Sequence, residues 1–242
     1  MKGGFGLMNN FYKIFFLLFA MTTFADNEIY IDQSGATANL DIEQQGGSNI
    51  VGGTSAQAGS MTALDLDGST MTLDINQIGS SNKFLGDITA DNFVGFWEFD
   101  GSTNVFNVQI DPTNTYGADN SDVNVDVTGG TNTFTLDLAT TALASNADVD
   151  WVINGDGNTL DFNINYTDAT NDVNVDGNDN TINFTGQGYA GGYFKLNQTG
   201  NSRTFNIQQL STLDNDWLQI NSTGSSGTIC VIQNDGGTAV GC

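Results

Sequence analysis

Apolar residues recur two positions apart along most of this chain, with polar residues between them and glycines punctuating the runs. The anchoring glycines are Gly35, Gly68, Gly101, Gly129, Gly155, Gly177, Gly200 and Gly224. Five residues after each stands Leu40, Leu73, Phe106, Phe134, Leu160, Ile182, Phe205 or Ile229, and seven after it Ile42, Ile75, Val108, Leu136, Phe162, Phe184, Ile207 or Val231. Four before it comes Ile31, Leu64, Trp97, Val125, Trp151, Val173, Leu196 or Ile220, with no slip in any of the eight units. A period of two predicts half-buried strands. The unit is therefore strand, glycine turn, strand. One such pair cannot bury its apolar face alone, so the repeats must stack and cover one another.

Successive anchors lie 33, 33, 28, 26, 22, 23 and 24 residues apart. Propeller blades need about forty residues and four strands each, so these units are too short. The alternation predicts an all-β chain, a β-solenoid of about eight strand-turn-strand repeats, with an irregular β-sandwich as the alternative. A sandwich does not require side chains to recur in register. A solenoid does, because equivalent positions stack at about 4.8 Å per rung, giving a rod of roughly 35 Å.

The N-terminus reads as an export signal. Lys13 precedes the apolar run Ile14 to Met21, too short to span a bilayer, and Thr23-Phe24-Ala25 supplies small residues for cleavage. Met8 is an equally good start, and an uncleaved anchor or buried helix is the alternative. The expected organisation is a signal peptide over 1–25 and a single repeat domain over 26–242, secreted or held at the cell surface, with no membrane span. The formal charge is -23, and beyond the signal segment the cations are Lys83, Lys195 and Arg203. Nucleic acid and anionic membranes need many more. Cys230 and Cys242 are the two cysteines. In an exported chain a disulfide tying the tail 232–242 is expected, worth roughly 3 kcal/mol; free thiols and an intermolecular bridge stay open.

Gln44-Gln45-Gly46-Gly47-Ser48-Asn49 and Gln77-Ile78-Gly79-Ser80-Ser81-Asn82 both read Gln-x-Gly-x-x-Asn. Gln33-x-Gly35 is followed by Gln44, and Gln198-x-Gly200 by Gln209, at the same separation. Nine residues after the anchors stand Gln44, Gln77, Gln209 and Gln233. The pattern resembles the curlin repeat, Gln-x-Gly-x-x-Asn-x-Ala-x-x-x-Gln. Curlins are secreted subunits of surface amyloid fibres, so the resemblance implies a structural or adhesive protein that assembles with itself, its working residues being ladders rather than a localised site.

Other chemistry is sparser. Without histidine, Ser-His and Cys-His nucleophiles are unavailable, and the carboxylates are spread through the repeats, so no enzymatic role is expected. No cofactor is expected either. Calcium is the ion the residues suggest, because Asp172, Asn174 and Asp176 open like a calcium loop, although its twelfth position is Asn183 instead of Glu. Tyr189 and Tyr193, beside glycines, are candidate stacking faces for a glycan, whereas Trp97 and Trp151 sit on the apolar pattern and belong to the core. The alternative to a fibre subunit is a monomeric β-solenoid that binds glycan or calcium at a cell or virion surface.

Overall fold

The computed structural model describes residues 27–52, 64–111, 118–139, 144–188, 191–211 and 216–234. The expected signal peptide and the tail beyond Asn234 lie outside them. The described chain is all β, without a helix. It opens with β1 (Asn27–Ile29), β2 (Asp32–Ser34), β3 (Thr37–Val51), β4 (Leu64–Gly68) and β5 (Thr70–Ala90). Next come β6 (Val94–Asp100), β7 (Thr103–Ile110), β8 (Asp122–Thr128), β9 (Thr133–Leu138), β10 (Asp148–Asn154) and β11 (Thr159–Tyr166). The last six are β12 (Thr170–Asp176), β13 (Thr181–Gly188), β14 (Tyr193–Thr199), β15 (Arg203–Ser211), β16 (Trp217–Thr223) and β17 (Gly227–Gln233). All pair in parallel with the equivalent strand one rung away, so the chain winds as a β-solenoid.

Each rung lays one strand on a front face and one on a back face. The front stack runs from the first parts of β3 and β5 through β6, β8, β10, β12 and β14 to β16. The back stack begins with β1 and β2, continues through the end of β3, β4 and the end of β5, and then takes β7, β9, β11, β13, β15 and β17.

The register corrects the sequence reading at the first two units. Ile42 and Ile75 stack beneath Trp97 on the front face, and Leu64 lies level with Gly86 on the back face. The glycines in column with Gly101 are therefore Gly46 and Gly79, each next glycine lying over the preceding carbonyl. Gly35 and Gly68 form the opposite corner. The cause is numerical. Residues 53–63 lengthen one rung to 33 residues, whereas the next has 22. Gly35 to Gly68 is one such long rung, whereas the equal step from Gly68 to Gly101 is one and a half ordinary rungs and carries the count from one corner to the other. Both half-rungs show the same alternation and glycine, so the pattern hides the exchange.

The interior is made of side-chain columns. Val51, Phe84, Phe106, Phe134, Leu160, Ile182 and Phe205 follow one another up the back stack and are all buried. Trp97 and Trp151 face them from the front. Trp97 contacts Phe84 and Phe106 with ring centroids at 5.2 Å, and Trp151 contacts Phe162 at 4.8 Å. Gly95, next to Trp97 on the interior side, makes room: a Cβ there would stand 2.8 Å from Trp97 Cζ2. Each such aromatic contributes about 1.5–3 kcal/mol by burial. Both tryptophans belong to the core, as their sequence positions predict.

Candidate functional site

The most ordered polar feature is the corner between the front and back strands. A straight turn of four residues, Gly-x-x-Asn, leaves backbone carbonyls pointing inward, and the asparagine side chain satisfies them. The Nδ2 groups of Asn132, Asn158 and Asn180 donate to the carbonyls of Gly129, Gly155 and Gly177 at 2.6, 2.5 and 2.8 Å. The second N–H of each passes to the next rung: Asn49 to Asn82, then Asn104, Asn132, Asn158 and Asn180, over 2.8–3.1 Å. The amides from Asn49 to Asn158 each spend both donors, and Asn180 ends the relay with its bond to Gly177 O. All six side chains are buried, where low dielectric strengthens the chain of bonds. Arg203 continues the column, and its Nη1 donates to Gly200 O at 2.8 Å, as an asparagine would.

The glutamines divide differently from the sequence reading. Gln44 and Gln77 belong to a front column, in which Gln77 Nε2 donates to Gln44 Oε1 at 2.6 Å. The next member is Phe99, so the ladder stops there and Gln77 Oε1 has no partner. Gln198 returns to the same column and donates to Gly177 O at 2.8 Å. Gln209 and Gln233 belong to a back column, joined at 3.0 Å, and Gln33 heads that column with Leu66 after it. Gln44 and Gln77 are thus not equivalent to Gln209 and Gln233. The physical reason is again the half-rung exchange.

The remaining candidates scatter. Asp172, Asn174 and Asp176 point outward along the straight strand β12, which is not a loop that wraps an ion. Asp172 pairs with Lys195, and Asn174 donates to Asp172 Oδ1 at 3.2 Å. Among the described residues no group of three acidic, histidine or cysteine side chains is placed to hold a metal ion. Tyr193 lies flat on Trp217, ring centroids 4.2 Å apart and planes 2° apart; Tyr189 lies outside the described residues. Cys230 is disulfide-bonded, and Cys242, the chain's other cysteine, also lies outside them. Asp41 and Asp74 stand in one outer front column, which continues into Phe96 and Asn124.

One ordered column is not anticipated by the repeat pattern. Thr133, Thr159, Thr181, Thr204 and Thr228 stand in register on the outer back face. Each follows its corner glycine by four residues, and that spacing is the signal that could have found it.

Carboxylates concentrate on the outer front face, where Asp122, Asp148, Asp172 and Asp126 surround Asp150. Desolvation against the sheet, then Asp122 and Asp172, raise the Asp148 pKa above its ordinary 3.8. Desolvation, then Asp148, Asp172 and Asp122, raise that of Asp150, with Lys195 opposing. A carboxyl whose native pKa exceeds its unfolded value binds its proton more tightly when folded. Folding is then penalised above the native pKa, and the penalty vanishes as pH falls toward 3.8. We therefore expect the thermal midpoint at low salt to rise as the pH is lowered from neutrality toward 3.8, and Asp150→Asn to raise it at neutral pH. A midpoint that falls steadily over that range would contradict this.

The end rungs differ from the rest. Ile229 and Val231 lie on interior columns, directly above Phe205 and Ile207. Phe205 and Ile207 are 0% exposed, but Ile229 is 47% and Val231 43% exposed. Among the described residues β16 pairs with β14 and β17 with β15, and no further strand stacks on either. At the other end Ile29, Ile31, Ala38 and Leu40 are only partly buried. No protein-family model, curated protein or solved structure matches this chain.

Proposed function

We propose that this chain is an exported structural or adhesive surface protein, similar to curlins, that assembles with itself into fibres by stacking end rungs. The β-solenoid fold is compatible with a structural or adhesive repeat protein. The corners Gln44–Asn49 and Gln77–Asn82 support the narrower reading, since both place their asparagine in the buried ladder. The single observation that carries it is the last rung. From Trp217 to Gln233 it has no charged residue, and its interior side chains Ile229 and Val231 stand 47% and 43% exposed. Natural edges are usually blunted by charge or proline; between Trp217 and Gln233 neither occurs. Continued stacking of amides and apolar columns is what holds cross-β assemblies together. Export is supported by Lys13, the apolar run Ile14 to Met21 and the small residues Thr23 and Ala25.

Mature protein from Asp26 onward, incubated for days and followed by electron microscopy and thioflavin fluorescence, is expected to give unbranched fibres that seed fresh monomer. Val231→Lys places a charge on the uncovered interior column and is expected to slow elongation at least tenfold while leaving the fold intact by circular dichroism. Unmodified protein that remains monomeric under every condition would defeat the proposal. A second reading, a monomeric glycan binder, is favoured by the Tyr193–Trp217 pair, because Trp217 is 41% exposed and aromatic faces suit ligands that are apolar on one side and wet on the other.

A further inference from the structure

The two outer faces differ in charge. The front carries Asp122, Asp126, Asp148, Asp150 and Asp172. The back face from β13 to β17 carries none: its outward positions are Thr181, Asn183, Thr185 and Gln187, then Thr204, Asn206 and Gln208, and then Thr228, Cys230 and Ile232. Hydroxyls and amides there repeat at the strand spacing of about 4.8 Å.

This face is concave at one place. Strand β9 stops at Leu138, and Ala139 turns away with φ 45°. Strands β11 and β13 run on to Tyr166 and Gly188, so Asn165 and Gln187 extend past the end of β9. The resulting shallow pocket, about 210 Å³, is lined by Asp137, Asn163, Ile164, Asn165, Thr185 and Gln187. Its end wall is Asp137, which accepts from Asn163 Nδ2 at 2.9 Å and from Gln109 Nε2 at 3.3 Å. Those bonds hold the carboxylate in place and leave lone pairs over. Asn163 keeps one N–H unspent, and the Asn165 and Gln187 amides and the Thr185 hydroxyl are not engaged by any side-chain hydrogen bond among the described residues.

We infer that this pocket binds one unit of a neutral polysaccharide, and that the uncharged column beyond it accommodates the neighbouring units. The lining selects this chemistry. It contains no lysine or arginine, so nothing there holds a phosphate, sulfate or uronate, and the -23 charge of the chain repels anionic polymers. It holds one carboxylate, too few for a divalent cation in competition with water. Amides, which donate and accept, and a fixed carboxylate, which accepts, match the vicinal hydroxyls of a sugar. The pocket is smaller than the roughly 300–1,000 Å³ of ordinary ligand sites, which suits a single ring. The site is independent of fibre growth, since it lies on the side of the rod and not at its ends.

The test is affinity electrophoresis of freshly purified monomeric protein from Asp26 onward. The gels contain hydroxyethylcellulose, a soluble mixed-linkage glucan or soluble glycol chitin, with polygalacturonate as the anionic control. Retardation by at least one neutral polymer, none by polygalacturonate, and at least a tenfold loss of affinity in Asn165→Ala/Gln187→Ala are expected. Trp217→Ala should bind as the unmodified chain does. Both pocket side chains are solvent-facing, so the double variant should keep its circular dichroism spectrum; Gln187→Glu, a minimal change, provides a second variant and should also weaken binding. Three results would overturn the inference: no retardation by any neutral polymer, undiminished binding in both pocket variants, or binding that requires calcium or Trp217. Failure of fibre growth would leave these results readable, since none of them depends on assembly.

Discussion

Gly129→Ala should lower the thermal midpoint by about 10 °C, whereas Gly130→Ala, one residue along, should leave it nearly unchanged. Gly129 has φ 140°, a backbone conformation costing a residue with a Cβ about 1–3 kcal/mol. A Cβ there would also overlap the Gly101 carbonyl oxygen of the rung below. That oxygen is backbone and cannot swing aside, so the corner must open, and the bond from Gly129 N to Asn154 O at 2.9 Å opens with it. Together these effects are worth about 4 kcal/mol, and for a chain of this size each kcal/mol lowers the midpoint by roughly 2–4 °C. Gly130 differs in one respect that matters. A Cβ on it would meet only Asp156 O at 3.5 Å, ordinary contact distance. Calorimetry on both variants decides the matter. Equal shifts, or no shift in Gly129→Ala, would mean that corner stacking does not hold the rungs together. Because stability in a stacked array is a sum over neighbours, hydrogen exchange should also show the loss centred on the rungs carrying Gly101, Gly129 and Gly155.

Asn158→Ala is expected to cost about 3–5 kcal/mol, far more than an exposed asparagine. Asn158 is 0% exposed. Its Nδ2 donates to Gly155 O and Asn180 Oδ1, while its Oδ1 accepts from Asn132 Nδ2 at 2.8 Å and from Asn132 N at 3.2 Å. Truncation strands donors and acceptors on both neighbouring rungs, and each buried unsatisfied group costs about 1–3 kcal/mol. Asn158→Asp keeps the size and loses both donors, placing a carboxylate against the Gly155 and Asn180 oxygens. Its loss at pH 7.5 should exceed that of alanine and shrink on acidification, as protonation restores a donor and removes the charge. Asn206→Ala serves as the comparison. It breaks a similar bond, Nδ2 to Asn183 Oδ1 at 2.8 Å, on the half-exposed outer face, where water replaces it at a cost of about 0.5 kcal/mol or less. Urea denaturation of all three variants gives the answer. A cost below 1 kcal/mol for Asn158→Ala would show that the ladder is ornamental to stability.

Much of the fold was legible because strand geometry writes itself directly into sequence. Side chains alternate at period two, so Phe205 and Ile207 mark an interior face without any knowledge of neighbours. The corner glycines were legible for a similar reason: a stacked corner has no space for a Cβ. The phase of the first two units was not. Strand and corner repeat within each half-rung, and the long rung from Gly35 to Gly68 has the same 33-residue length as the one and a half ordinary rungs from Gly68 to Gly101, so Gly35 and Gly68 look equivalent to Gly101. The same coincidence merged Gln44 and Gln77 with Gln209 and Gln233. The pocket at Asn165 and Gln187 was illegible for another reason, since it exists only because β9 is shorter than β11 and β13.

By itself, then, the sequence determined that this is an acidic chain of stacked strand-turn-strand units with its apolar residues turned inward, because alternation, glycine spacing and composition are local properties of the chain. Which glycines share a column, which amides join into a ladder, and that the last rung leaves Ile229 and Val231 uncovered were decided only in the tertiary structure. Those facts depend on which rung lies above which, and register between rungs is set by packing across the whole stack.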